Sequence, residues 1–152
     1  MTTLDTHTIH LVRDSWALVA PSEREVAALF YRHLLTLDPS LQPMFGGDMT
    51  VQGERLMSMI GAALTLLDRP AQLLPVLRSL GARHRGYGVR DAHYPLVAQA
   101  LLRTLHDGLA DAFTDEVRAA WTSVYGMFAA EMQAGAAAAS SGVPSAQMAA
   151  TS

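Results

Sequence analysis

Apolar residues recur along this chain at steps of three and four, with no alternating stretch of useful length, so its elements read as helices. Ile9, Val12, Trp16 and Val19 mark a first helix, which opens on the cap candidates of Asp5-Thr6-His7-Thr8 and ends at Pro21. Ser22-Glu23-Arg24-Glu25 has the form of a capping box, with Glu25 able to reach back to the cap amide. Val26, Phe30, Leu34 and Leu37 then make one face of a second helix, flanked by Ala27, Tyr31 and Leu35. Asp38-Pro39 predicts a short third piece, with aspartate as cap and proline at the first position. It runs into the corner Met44-Phe45-Gly46-Gly47-Asp48.

A fourth helix is predicted from about Thr50 to Leu67, with Gln52, Leu56, Met59, Ile60 and Ala63 inward and Glu54, Arg55 and Ser58 off that face. After Asp68-Arg69-Pro70, the stripe Leu73, Leu77, Leu80 and His84 defines another helix, and Gly86 and Gly88 stop it. A helix begins near Asp91-Ala92-His93-Tyr94-Pro95 and carries Val97, Leu101 and Leu105 to about Leu109. The last starts at Thr114-Asp115-Glu116, where two acids suit the positive end of the helix dipole, and carries Val117, Trp121, Val124 and Phe128 inward to about Ala134. The predicted architecture is all-α, about seven helices with short connections. Residues 1–136 form one domain, and residues 137–152, rich in alanine and serine, are expected to be a disordered tail.

Composition narrows the chemistry. There is no cysteine, which excludes disulfides, thiolate metal sites and cysteine nucleophiles. All 11 basic residues are arginine and the net charge is −3, without a basic stripe to neutralise phosphates along a nucleic acid. No apolar run approaches a membrane span, and the first residues lack the pattern of a signal peptide, so a cytoplasmic location is expected. With six histidines available, a transition-metal site would rely on imidazole.

Three polar groups fall on or beside inward faces: Tyr31, Gln52 and His84. A histidine closing an apolar stripe can be an axial metal ligand or a satisfied core residue, and periodicity alone favours the second. A buried tyrosine usually just bonds a carbonyl, and a glutamine at a helix start is often a cap. Their combination is more specific, because the helices carrying Gln52 and His84 are consecutive and could flank a flat ligand, with Phe45 stacked on it.

These residues resemble the globin family over roughly Ile9 to Met132. The resemblance is carried by Asp38-Pro39…Met44-Phe45, by Leu80-Gly81-Ala82-Arg83-His84-Arg85-Gly86-Tyr87-Gly88-Val89, by His93-Tyr94-Pro95-Leu96-Val97, and by Phe113-Thr114 followed by Ala120-Trp121-Thr122-Ser123-Val124-Tyr125-Gly126. The pattern is most similar to bacterial single-domain haemoglobins and the globin half of flavohaemoglobins. It implies haem b (iron protoporphyrin IX) as cofactor, His84 as proximal iron ligand, and Phe45 packed on the porphyrin. Gln52 matches the distal position, Leu56 the apolar residue one turn on, Tyr31 the distal tyrosine and Tyr94 the proximal tyrosine. His84 would donate its second ring nitrogen to the carbonyl of Leu80, and Arg55 is a candidate partner for a haem propionate. One departure stands out: the family's late glutamate in the proximal network falls at Ala136, and the nearest acid is Glu131.

What the resemblance implies is a single-domain haemoglobin with a five-coordinate iron. Tyr31 and Gln52 would act as donors that give high oxygen affinity and slow release. Its partners would be the diatomic gases oxygen, nitric oxide and carbon monoxide. The alternatives are a nitric oxide dioxygenase served by a separate reductase, since no chain remains here for a reductase module, and a gas-sensing or haemless regulatory domain. His33 is expected to be structural, His93 a capping or surface residue, and His7, His10 and His106 solvated. Trp16 and Trp121 are expected to pack the core.

Overall fold

The computed structural model describes residues 4–140 except Gly46 and Tyr87. Among them are six α-helices and no strand: α1 (Thr6–Val19), α2 (Glu23–Leu37), α3 (Met49–Thr65), α4 (Pro70–Gly86), α5 (His93–Leu109) and α6 (Asp115–Ser140). Tight 3₁₀ segments at Ala20–Ser22, Pro39–Phe45 and Ala110–Ala112 join neighbouring helices. Aspartates start two of the helices as short acceptors should: Asp5 takes the Thr8 amide at 2.7 Å, and Asp48 takes the amides of Thr50 and Val51.

The capping box before α2 does not form. Ser22 is the cap residue but makes no side-chain cap bond, because the preceding 3₁₀ segment leaves it at φ −100° and ψ 37° rather than extended. The end of α6 also differs from expectation. Its alanine run, the best helix-forming composition, carries the helix to Ser140 rather than stopping at residue 136. The rest of the expected tail, 141–152, lies outside the described residues.

The core joins all the helices. Val12, Leu73, Leu77, Leu105, Trp121 and Val124 are almost wholly buried. Trp16 and Trp121 pack with ring centroids 5.9 Å apart, and the Trp121 indole donates to Ser15 Oγ at 2.8 Å. Ser15 in turn donates to the Leu11 carbonyl at 2.7 Å, so a polar group in the core is satisfied through a short chain.

α3 is rotated from its predicted placement. Gly53, Met57, Ala63 and Leu64 are buried, while Gln52, Leu56, Met59 and Ile60 are only half-buried. The cause is a close crossing with α2, where a Cβ on Gly53 would sit 2.8 Å from the Ala27 methyl. α3 is carried chiefly by α2, whereas α4 is carried chiefly by α6. These two helices are consecutive in the chain yet are not an extensively packed pair.

Candidate functional site

The stripe on α4 divides into two parts. Leu73 and Leu77 anchor the helix in the core at 1% exposure, and Leu80 and His84 continue it half-buried. His84 Nδ1 lies 2.7 Å from the Leu80 carbonyl. A carbonyl only accepts, so Nδ1 carries a proton, which is the arrangement of the tautomer whose lone pair lies on Nε2. The helix then ends in a Schellman motif: Val89 N–H donates to the His84 carbonyl at 3.0 Å and Gly88 N–H to Arg85 at 3.0 Å. Gly88 takes the φ of +94° that this cap requires.

α6 holds α4 backbone to backbone. A Cβ on Gly81 would collide with the main chain of Met132, and one on Gly135 with the main chain of Arg78. Arg78 Nε also donates to Glu131 at 2.9 Å across the same seam. Glu131 is thus engaged with Arg78, and Ala136 is buried.

On α2, Tyr31 gathers the other expected residues. Its ring lies 5.2 Å from Phe45 and 5.3 Å from Phe30, centroid to centroid. Its hydroxyl donates to the Gln52 carbonyl over a long 3.4 Å. Burial pushes the phenol above its ordinary pKa, so Tyr31 is a neutral donor at working pH. The structure therefore brings Tyr31, Phe45 and Gln52 together. Leu56 is half-buried one turn after Gln52. Arg55 is exposed and forms no ion pair among the described residues, while the neighbouring Glu54 stands 3.9 Å from Arg24.

Tyr94, at the start of α5, is buried, and its backbone carbonyl accepts the Tyr125 hydroxyl at 2.7 Å. Burial raises both phenols, with a further push from Asp91 on Tyr94 and from Tyr94 on Tyr125. Tyr125, Gly81 and Gly135 were not predicted from the pattern. Only the place of Tyr125, one turn after Trp121, hinted at a role. His93 is a cap, its Nδ1 accepting the Arg90 amide at 2.9 Å, and His33 is half-buried against Asp107 at 2.7 Å.

The donor set limits what could bind at His84. Among the described residues no three or more His, Cys, Asp or Glu side chains are grouped to hold a metal ion. A metal taken by one imidazole would have to bring its other ligands with it, as the iron of a porphyrin does.

With this all-helical fold and a single oriented imidazole, comparison with known proteins places the chain in a class. The globin family model matches residues 28–132, and the chain belongs to the globin family. It is 28% identical over 129 residues to a flavohemoprotein of Bacillus subtilis, and 32% identical over 129 residues to one of Bacillus cereus. Each match covers 83% of this chain but 32% of the relative, so the chain spans about a third of those proteins.

Two solved structures are similar over nearly their whole length. An engineered carbene transferase from Rhodothermus marinus, provisionally named a nitric oxide dioxygenase, superposes with TM-score 0.77 at 28% identity, over 89% of this chain and 94% of that one. A hexacoordinated heme protein from an anhydrobiotic tardigrade superposes with TM-score 0.79 at 15% identity, over 88% and 95%, and speaks for the fold alone. No helix among the described residues is long and apolar enough to cross a membrane.

Proposed function

We propose that this globin binds haem b through His84 and uses it to bind molecular oxygen. The observation that carries the reading is the His84–Leu80 hydrogen bond of 2.7 Å, which fixes the ring in the tautomer that presents Nε2 to a metal. Haem would supply an iron with one open position for a diatomic gas. Leu56, Met59 and Ile60, half-buried on α3, supply apolar surface suited to a porphyrin, and Phe45 a ring to lie on it. Tyr31 and the Gln52 side chain would serve as donors on the gas side, each worth about 1.5–3 kcal/mol to a charged acceptor. Leu80 positions His84, Tyr94 supports the proximal wall, and Arg55 is free to swing to a haem propionate.

The chemistry of His84 favours binding over peroxidase activity, in which peroxide is reduced. Its Nδ1 meets a neutral carbonyl rather than a carboxylate, residue 136 is alanine, and the nearest acid, Glu131, is paired with Arg78. A second reading, a nitric oxide dioxygenase fed by a separate reductase, draws on the 28% identity to the Rhodothermus marinus protein.

The test is reconstitution with haem. A Soret band lost in His84→Ala supports the reading, and a spectrum that His84→Ala leaves unchanged sinks it. Catalytic nitric oxide consumption with a supplied reductase would select the second reading over the first.

A further inference from the structure

We propose that a cleft between α2, α5 and α6 is a separate binding site for a small phosphate-bearing anion. The cleft is an open groove of about 510 Å³, lined by the half-buried His33 of α2, by Leu102 and the exposed Gln99, Arg103, His106 and Asp107 of α5, and by the exposed Arg118 of α6. That volume suits a small molecule, for which sites of roughly 300–1,000 Å³ are usual.

Its charge runs against that of the chain. The protein carries −3 overall, but here two arginines and two imidazoles surround one carboxylate. That carboxylate is already engaged: Asp107 Oδ2 accepts from His33 Nε2 at 2.7 Å, and Oδ1 stands 3.6 Å from His106 Nδ1. The guanidinium groups of Arg103 and Arg118 form no ion pair among the described residues, whereas Arg13, Arg24 and Arg78 each meet a carboxylate. Planar guanidinium forks match phosphate oxygens in pairs. The concavity favours a small anion over the flat face of a protein. Leu102 leaves apolar surface for a ring beside the phosphate.

Calorimetric titration of the full chain with inorganic pyrophosphate and with ADP tests the site. Saturable binding of either, weakened by added salt, supports it; tighter ADP assigns a nucleotide-like ligand, and equal affinities assign the bare diphosphate. Arg103→Gln and Arg118→Gln should each weaken binding about tenfold or more, with the helical circular dichroism and unfolding midpoint unchanged. Asp107→Asn should tighten binding, a change that simple damage to the fold would not produce. No saturation with either probe, or arginine variants that bind as the wild type does, overturns the proposal.

Discussion

Gly81 of α4 rests directly on the main chain of Met132 of α6, with no room for a β-carbon between them. Gly135 returns the contact onto Arg78, so the helix that carries His84 is held at two points by backbone rather than by side chains. Such a seam tolerates no added methyl. Gly81→Ala should cost about 3 kcal/mol through overpacking. Gly126→Ala, on the same α6 with nothing within 4 Å of its added carbon, should instead stabilise by about 0.5–1 kcal/mol. Urea unfolding of the two variants checks the contrast; equal effects would contradict the packing.

The Tyr31 hydroxyl can be separated from the fold. It donates a hydrogen bond to the Gln52 backbone carbonyl over 3.4 Å, too long to hold much stability. Tyr31→Phe should leave the unfolding free energy within about 0.5 kcal/mol. Under the proposed function it should also speed oxygen release by about tenfold or more, since a bond to a charged acceptor is lost. Stopped-flow displacement of oxygen by carbon monoxide reads the rate, and an unaltered rate would remove Tyr31 from the gas site.

Ser15 and Trp121 bind each other inside the core, at 4% and 1% exposure. Ser15→Ala strands the indole N–H away from water, at a cost of about 1–3 kcal/mol. The denaturation midpoint should fall with the slope unchanged. A midpoint equal to that of the wild type would mean that the indole finds another acceptor.

Acid should weaken the fold in a defined sense. Asp5 is held below the usual carboxylate range by the Thr8 amide, Asp68 by hydrogen bonding from Arg13, and Asp107 by hydrogen bonding to His33. A carboxylate depressed in the folded state favours folding above its unfolded value, about 3.9. That contribution vanishes as the pH falls through the depressed folded value. His7, raised by its bond to Glu116, acts in the opposite direction: its contribution is complete below the ordinary imidazole value and disappears as the pH rises through the raised one. All these groups are largely exposed, so the effects are small and salt-sensitive. Unfolding midpoints should therefore decline below about pH 4, and Asp68→Asn should flatten that decline; a parallel curve would refute the assignment to Asp68.

Periodicity located the helices because each buries a stripe of large side chains, and Asp5, Asp48, Gly88 and His93 mark ends with local chemistry. It misplaced the inner face of α3 because that face turns on Gly53 against Ala27, where the signal is the lack of a side chain. Gly81 and Gly135 escaped notice for the same reason. Ser22 looked like a cap, but side-chain capping also depends on the backbone before it, which the residue types did not reveal. Helix order suggested Gln52 and Phe45 near one ligand, whereas Tyr31 was set beside them only by the globin resemblance. The bond from Tyr125 to Tyr94 joins residues far apart in sequence, and nothing local announces it.

The rotation of α3 divides its labour. Gly53, Met57, Ala63 and Leu64 commit it to the core, while Leu56 and Ile60 pack half-buried against the core's edge, with Gln52 and Met59 half-buried beside them. Under the proposed function, substitutions along that second stripe should cost less stability than ones at Met57 or Leu64 and fall on the wall that would meet a guest. A lineage or an engineer that retunes what this protein admits one residue at a time therefore draws on its stability more lightly there than in the core.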